Sequence, residues 1–164
     1  MTANLAKTVL AAAVLLAACG GDSAPSSPAA KGYEVTVATT RACEDGSDGW
    51  TITGHILPKS GEPGQYEGSG TYSGKMLLQE FGTPGRMLKP ISGGALITGS
   101  VAGPTLNILG ILNEFPLQTF GGSVATGGGK GIDHDHVGRT SPTERGIAGP
   151  GCDVTWNLTV TKTA

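Results

Sequence analysis

Two stretches of strict two-residue alternation stand near the two ends of the chain, each beside a cysteine, and together they set a topology that the rest must satisfy. Toward the C-terminus, Asp153-Val154-Thr155-Trp156-Asn157-Leu158-Thr159-Val160-Thr161 places Val154, Trp156, Leu158 and Val160 on one face of a strand. Tyr33-Glu34-Val35-Thr36-Val37-Ala38-Thr39-Thr40 does the same with Tyr33, Val35 and Val37. Cys43 lies just past the first stretch and Cys152 just before the second. If these strands are antiparallel neighbours, their sulfurs meet at one end of the ladder. A structural disulfide is therefore expected, closing a loop of about 108 residues and contributing roughly 2 to 4 kcal/mol. The competing reading, a redox-active pair, is disfavoured because the spacing is nothing like Cys-X-X-Cys.

Glycine restricts what lies between. Its 28 occurrences in 164 residues are more than twice the ordinary share, and ten prolines add to them, so helices are penalised along most of the chain. The glycines follow no three-residue period, which removes collagen. A turn-rich, all-β, antiparallel domain of about eight strands remains. An up-and-down barrel is preferred over a two-sheet sandwich, because pairing the first and last strands removes both sheet edges.

The intervening strands are legible in turn. Glu44 to Gly49 is a polar turn, and Trp50 to Leu57 restores the alternation, with Trp50, Ile52 and Ile56 on one face and His55 on the other. Pro58 to Gly64 turns again before Tyr66 to Ser73, where glycines between two tyrosines suit a tightly curved sheet. Lys75 to Phe81 reads as a strand paired with Arg86 to Ile91. Ala95 to Ala102, Leu106 to Leu112 and Phe115 to Phe120 follow, and Pro116 assigns the last of these to a sheet edge.

Gly121 to Gly151 breaks the rhythm and is expected to be a long polar loop, with a single helical turn capped by Ser141-Pro142-Thr143-Glu144. Long loops on a rigid scaffold carry a large share of binding residues, so His134, Asp135, His136, Arg139 and Arg145 form the candidate contact set. In an extended segment His134 and His136 project to one side, about 6.6 Å apart. They are the candidate metal ligands. A metal site needs a third ligand, from His55, Glu144 or another carboxylate, and nothing in the spacing requires one. The competing reading is a solvated polar segment.

The N-terminus supplies an address. Lys7 precedes an apolar run from Thr8 to Ala18 that is too short to span a bilayer as a permanent helix. The run ends in Leu16-Ala17-Ala18-Cys19, which resembles the lipobox of bacterial lipoproteins. That resemblance covers residues 1 to 19 and implies that residues 1 to 18 are a signal peptide, removed when Cys19 is acylated, and that the mature chain faces the periplasm or the exterior. An ordinary secretory signal is the alternative. Acylation of Cys19 leaves Cys43 and Cys152 as an even pair, which an exported protein with three cysteines needs. Several acyl chains, at about 0.8 kcal/mol per buried methylene, would hold the protein to its membrane. Residues 19 to 32 then form a flexible tether and residues 33 to 164 the β domain.

Charge and motifs narrow the function. Removing Lys7, the one charged residue in the signal, takes the formal charge from -2 to -3; aromatic residues are 5% of the chain, and no lysine or arginine cluster is present, so nucleic acid is not an expected partner. Gly121-Gly122-Ser123-Val124-Ala125 lacks the last glycine of a hydrolase elbow, and Gly127-Gly128-Gly129-Lys130-Gly131 lacks the spacing of a phosphate loop. Asn157-Leu158-Thr159 fits a glycosylation acceptor but reads more simply as strand. Asp48 stands where the Gly-X-Trp signature of lipocalins requires glycine. No cofactor is implied. The expectation is a lipid-anchored, non-catalytic protein that binds a small ligand or a partner, with a structural envelope protein and a metalloprotein using His134 and His136 as alternatives.

Overall fold

The structure is a computed structural model in which residues 31–80, 82, 84–137 and 151–164 are described. Eight antiparallel strands account for nearly all of them: β1 (Tyr33–Cys43), β2 (Gly46–Pro58), β3 (Gln65–Gln79), β4 (Arg86–Ala102), β5 (Thr105–Leu112), β6 (Phe115–Ala125), β7 (Gly128–Val137) and β8 (Cys152–Lys162). Their order in the single sheet is β6-β5-β4-β3-β2-β1-β8-β7. Strands consecutive in sequence are hydrogen-bonded neighbours at every step except β6 to β7, and β1 pairs with β8 along its whole length. The all-β class and the pairing of first and last strands are as the terminal alternations require.

The sheet curls until its end strands meet. Thr126 and Gly127 join β6 to β7, and a methyl group placed on Gly131 of β7 would lie 2.4 Å from the Ser123 carbonyl of β6. No ladder connects the two among the described residues, so the form is barrel-like with one open seam. Two-residue connections also join β1 to β2, β4 to β5 and β5 to β6. At the β4–β5 turn Gly103 has φ of +59°, a conformation glycine adopts at no steric cost. At this end Tyr33 Oη donates to the Thr126 carbonyl at 2.9 Å, Thr126 N–H donates to the Pro104 carbonyl at 2.9 Å, and the Tyr33 and Tyr66 rings meet edge to face with centroids 5.1 Å apart.

Inward residues follow the period of two. Val35, Val37, Ile52, Ile56, Ile97, Leu106, Ile108, Leu112, Leu158 and Val160 are buried, each aliphatic side chain stabilising the fold by about 1.5 to 3 kcal/mol relative to exposure. Glycines admit the larger side chains facing them. A methyl on Gly54 would lie 2.5 Å from Ile97 Cδ1, one on Gly99 2.8 Å from Ile56 Cδ1, and one on Gly110 2.0 Å from Phe120 Cζ. Large residues thus fill the space that small ones leave, and this part of the interior is close-packed.

Three expectations change. Lys75–Phe81 and Arg86–Ile91 are not separate strands: β3 and β4 run on without interruption, since Gly74, Gly93 and Gly94 weaken the apolar pattern but leave the β3–β4 ladder intact. Pro90 is tolerated because at that level β4 has β3 on one side only, the β5 ladder beginning at Ala95 and Leu112. The long loop is also revised. Residues 121–125 complete β6 and residues 128–137 form β7, which pairs with β8 from Gly128 opposite Thr161 to Val137 opposite Cys152. A partner as regular as β8 imposes strand structure on a glycine-rich sequence whose own alternation is weak. The capped turn expected at residues 141–144 lies outside the described residues. Finally, Gly32, assigned to the tether, already belongs to the fold: its N–H donates to Thr163 Oγ1 at 2.8 Å and its carbonyl accepts from Thr163 N–H at 3.0 Å. Pro116 lies as expected in an end strand, β6.

Candidate functional site

The inward alternation of β1 turns polar as it approaches Cys43. Tyr33, Val35 and Val37 give way to Thr39 and Arg41, both buried. Arg41 stands opposite Asp48 of β2, and the two form an ion pair whose side chains are 4% and 0% exposed. Arg41 Nε donates to Asp48 Oδ1 at 2.9 Å, and a second guanidinium nitrogen reaches Oδ2, so the contact is bidentate. The pair also takes over where the β2–β3 ladder stops at Gly49 and Lys75. Leu77 N–H donates to Asp48 Oδ2 at 2.6 Å, and Arg41 donates to the Leu77 carbonyl at 3.4 Å. Two buried backbone groups of β3 thus find side-chain partners instead of strand partners. Arg41 also reaches Gln118 Oε1 of β6 at 3.5 Å, and its guanidinium carbon lies 5.6 Å from the centre of the Trp50 ring.

One residue deeper, Thr39 is the register partner of Trp50 on β2 and of Trp156 on β8. The three side chains therefore stand side by side on the inner face of three adjacent strands, with Cβ atoms of opposed pairs about 5 Å apart. They are 2%, 4% and 8% exposed, and Thr39 Oγ1, Trp50 Nε1 and Trp156 Nε1 have no hydrogen-bond partner among the described residues. A buried donor left unmatched costs about 1 to 3 kcal/mol. Three such groups in one row are not a packing arrangement that stability alone would select. They form a ledge of donors that a ligand's oxygen would satisfy.

The surroundings fix this end of the barrel. Cys43 and Cys152 are register partners and are disulfide-bonded, as their placement beside the terminal strands predicts. Arg86 pairs with Asp45 of the β1–β2 turn, and its guanidinium lies 3.9 Å from Cys152 Sγ. The hydrogen bonds from Arg86 hold the Asp45 carboxyl below its ordinary value. Farther round, Tyr72 Oη donates to Glu114 Oε2 of the β5–β6 turn at 2.6 Å. Burial, and then this bond, pushes the Tyr72 phenol up to about 12, and the same bond lowers Glu114.

The residues singled out in the sequence are divided among different places. His134 and Asp135 lie on β7, a strand and not a loop. His134 is in register with Thr155, an outward position, and its Nδ1 lies 3.1 Å from Thr155 Oγ1. The position of His136 falls opposite Asp153 by the same alternation. Asp133 and Asp135 are in register with Trp156 and Val154 and so share the inward face, at the seam. Asp133 and Asp135 thus stand on the face opposite to His134. Among the described residues no three His, Cys, Asp or Glu side chains come together as a metal-ion set. Arg139, Arg145, Glu144 and Cys19 lie outside the described residues.

Thr39, Arg41 and Asp48 were not among the sequence candidates. The signal was present: continuing the alternation of β1 two steps beyond Val37 places Thr39 and Arg41 on the buried face, where a charged residue demands a partner. Trp50 and Trp156 were read correctly as inward, but only as core. Compared with known proteins, the chain matches no family model, no curated protein and no solved structure.

Proposed function

We propose that this protein is a lipid-anchored, non-catalytic binding protein of a bacterial cell envelope, held to a membrane through Cys19, with a small ligand seated at the Cys43 end of its barrel. The observation that carries the reading is the row of three buried, unpartnered polar atoms on Thr39, Trp50 and Trp156. A barrel of eight strands has room for one small ligand or for its own side chains. The glycine-filled region around Ile56, Ile97 and Phe120 belongs to the second case, so the ligand is assigned to the polar end. The lipobox-like Leu16-Ala17-Ala18-Cys19 supports the envelope location, and the Cys43–Cys152 disulfide suits an oxidising compartment.

The close-packed region favours a second reading, a structural envelope protein without a ligand. Fluorescence separates the two directly, because the chain's two tryptophans are both in the proposed site. Titration of the full-length chain with small-molecule extracts of bacterial envelopes is expected to shift or quench tryptophan emission in a saturable way, and Thr39→Val is expected to weaken that response. Emission unchanged by every fraction would favour the structural protein.

A further inference from the structure

We infer that the ligand of this site is an uncharged molecule that presents a carbonyl-type oxygen to Trp50 and Trp156 on an apolar body; this rests on the binding function proposed above and specifies the chemistry of that site. Two of the three unmatched groups, the indole Nε1–H of Trp50 and of Trp156, donate and cannot accept, and the Thr39 hydroxyl between them does either. Their common complement is an oxygen with two lone pairs. Such an oxygen is neutral or anionic, and charge decides which.

Among the described residues the cation in contact with the row is Arg41, whose guanidinium lies 5.6 Å from the Trp50 ring centre, and it is already bound bidentately by Asp48, a carboxylate that is itself fully buried. An anion arriving at Thr39 would find no uncompensated positive charge among the described residues, and burying an unpaired carboxylate costs far more than three neutral hydrogen bonds return. Among the described residues the acidic position nearest the row has the wrong sign for an anion. Asp133 of β7 is in register with Trp156 and places a carboxylate at the seam. A cation fails for a different reason: an ammonium group has donors only, and would leave both indole N–H groups unmatched. The neighbouring inward positions are Val37, Ile52 and Leu158, each buried, and they ask for an apolar body behind the oxygen. Specificity would follow from the polar row, since a site built to hydrogen-bond an oxygen rejects an analogue lacking it more strongly than it rejects an extra methylene.

Three probes that share one ring and differ in their head group test this: cyclohexanone, cyclohexanecarboxylate and cyclohexylammonium. The full-length chain, labelled with nitrogen-15, gives two indole N–H resonances, one from each tryptophan. Cyclohexanone is expected to move both in a saturable titration, with an affinity at least about tenfold above either charged probe, and Trp50→Phe is expected to weaken it while leaving the Trp156 resonance in place. Equal or tighter binding of the carboxylate or the ammonium probe would overturn the neutral assignment while leaving a binding site standing. If none of the three moves either resonance, the neutral-oxygen inference fails together with the binding function on which it rests.

Discussion

Arg41 and Asp48 face each other as register partners on β1 and β2, and their buried, bidentate ion pair also satisfies the backbone of Leu77 on β3. Removing one partner leaves the other charged and buried. Asp48→Leu is predicted to destabilise the protein by about 3 to 5 kcal/mol, and Arg41→Met by a similar amount, whereas the double variant Arg41→Met with Asp48→Leu should be more stable than either single variant. Urea unfolding of the three variants measures this. Independent, additive losses would mean that the two residues do not act as a pair.

The Cys43–Cys152 bond joins the end of β1 to the start of β8, across a sequence separation of 109 residues. Replacing both with serine is predicted to cost roughly 2 to 4 kcal/mol while leaving the strand signal in circular dichroism nearly unchanged, because the eleven-residue β1–β8 ladder persists without the bond. Free thiols at both positions in oxidised, exported protein would contradict the pairing.

How far the sequence could be read depended on which residues carried the pattern. β1, β2 and β8 were visible because β-branched and aromatic residues alternate there with threonine, so pairing and closure followed from side chains alone. β7 was not, because Gly128, Gly129 and Gly131 have no side chain to display a period and the strand is fixed by its ladder with β8. The site was hidden for a related reason. Thr39 fits a strand as well as valine does, and its significance lies in flanking indoles more than a hundred residues apart in sequence, a relation that register supplies and composition does not.

Tyr72 and Glu114 predict a pH dependence. The phenol is raised from 10.0 to about 12, so the folded state holds its proton more tightly than the unfolded chain; that stability is complete below pH 10 and is lost as pH rises from 10 to about 12. The Glu114 carboxyl is lowered, so its contribution is present above its ordinary value of 4.5 and is lost as pH falls through its depressed one. Tyr72→Phe should remove the last phenol to ionise in an ultraviolet titration and move the Glu114 titration back up. A wild-type spectrum in which every tyrosine ionises near pH 10 would contradict the assignment.

Cys19 carries the envelope assignment. Mass spectrometry of protein extracted from membranes is predicted to show loss of residues 1 to 18 and added lipid mass at the new N-terminus. A soluble product with an unmodified Cys19 thiol would remove the anchor.

The central claim is that the polar row at the Cys43 end is kept for binding at a cost to the fold, and Thr39→Val tests it most directly. Valine has nearly the shape of threonine and suits a strand, so the substitution removes a hydroxyl and little else. Because that hydroxyl is buried without a partner among the described residues, the ligand-free variant should unfold at a higher temperature than the parent, by several degrees for a gain of about 1 kcal/mol or more. It should at the same time weaken the tryptophan response to ligand, the opposed changes expected when a functional group is unfavourable for stability. A variant that melts several degrees lower than the parent would show that the hydroxyl holds the structure together, and would contradict the account.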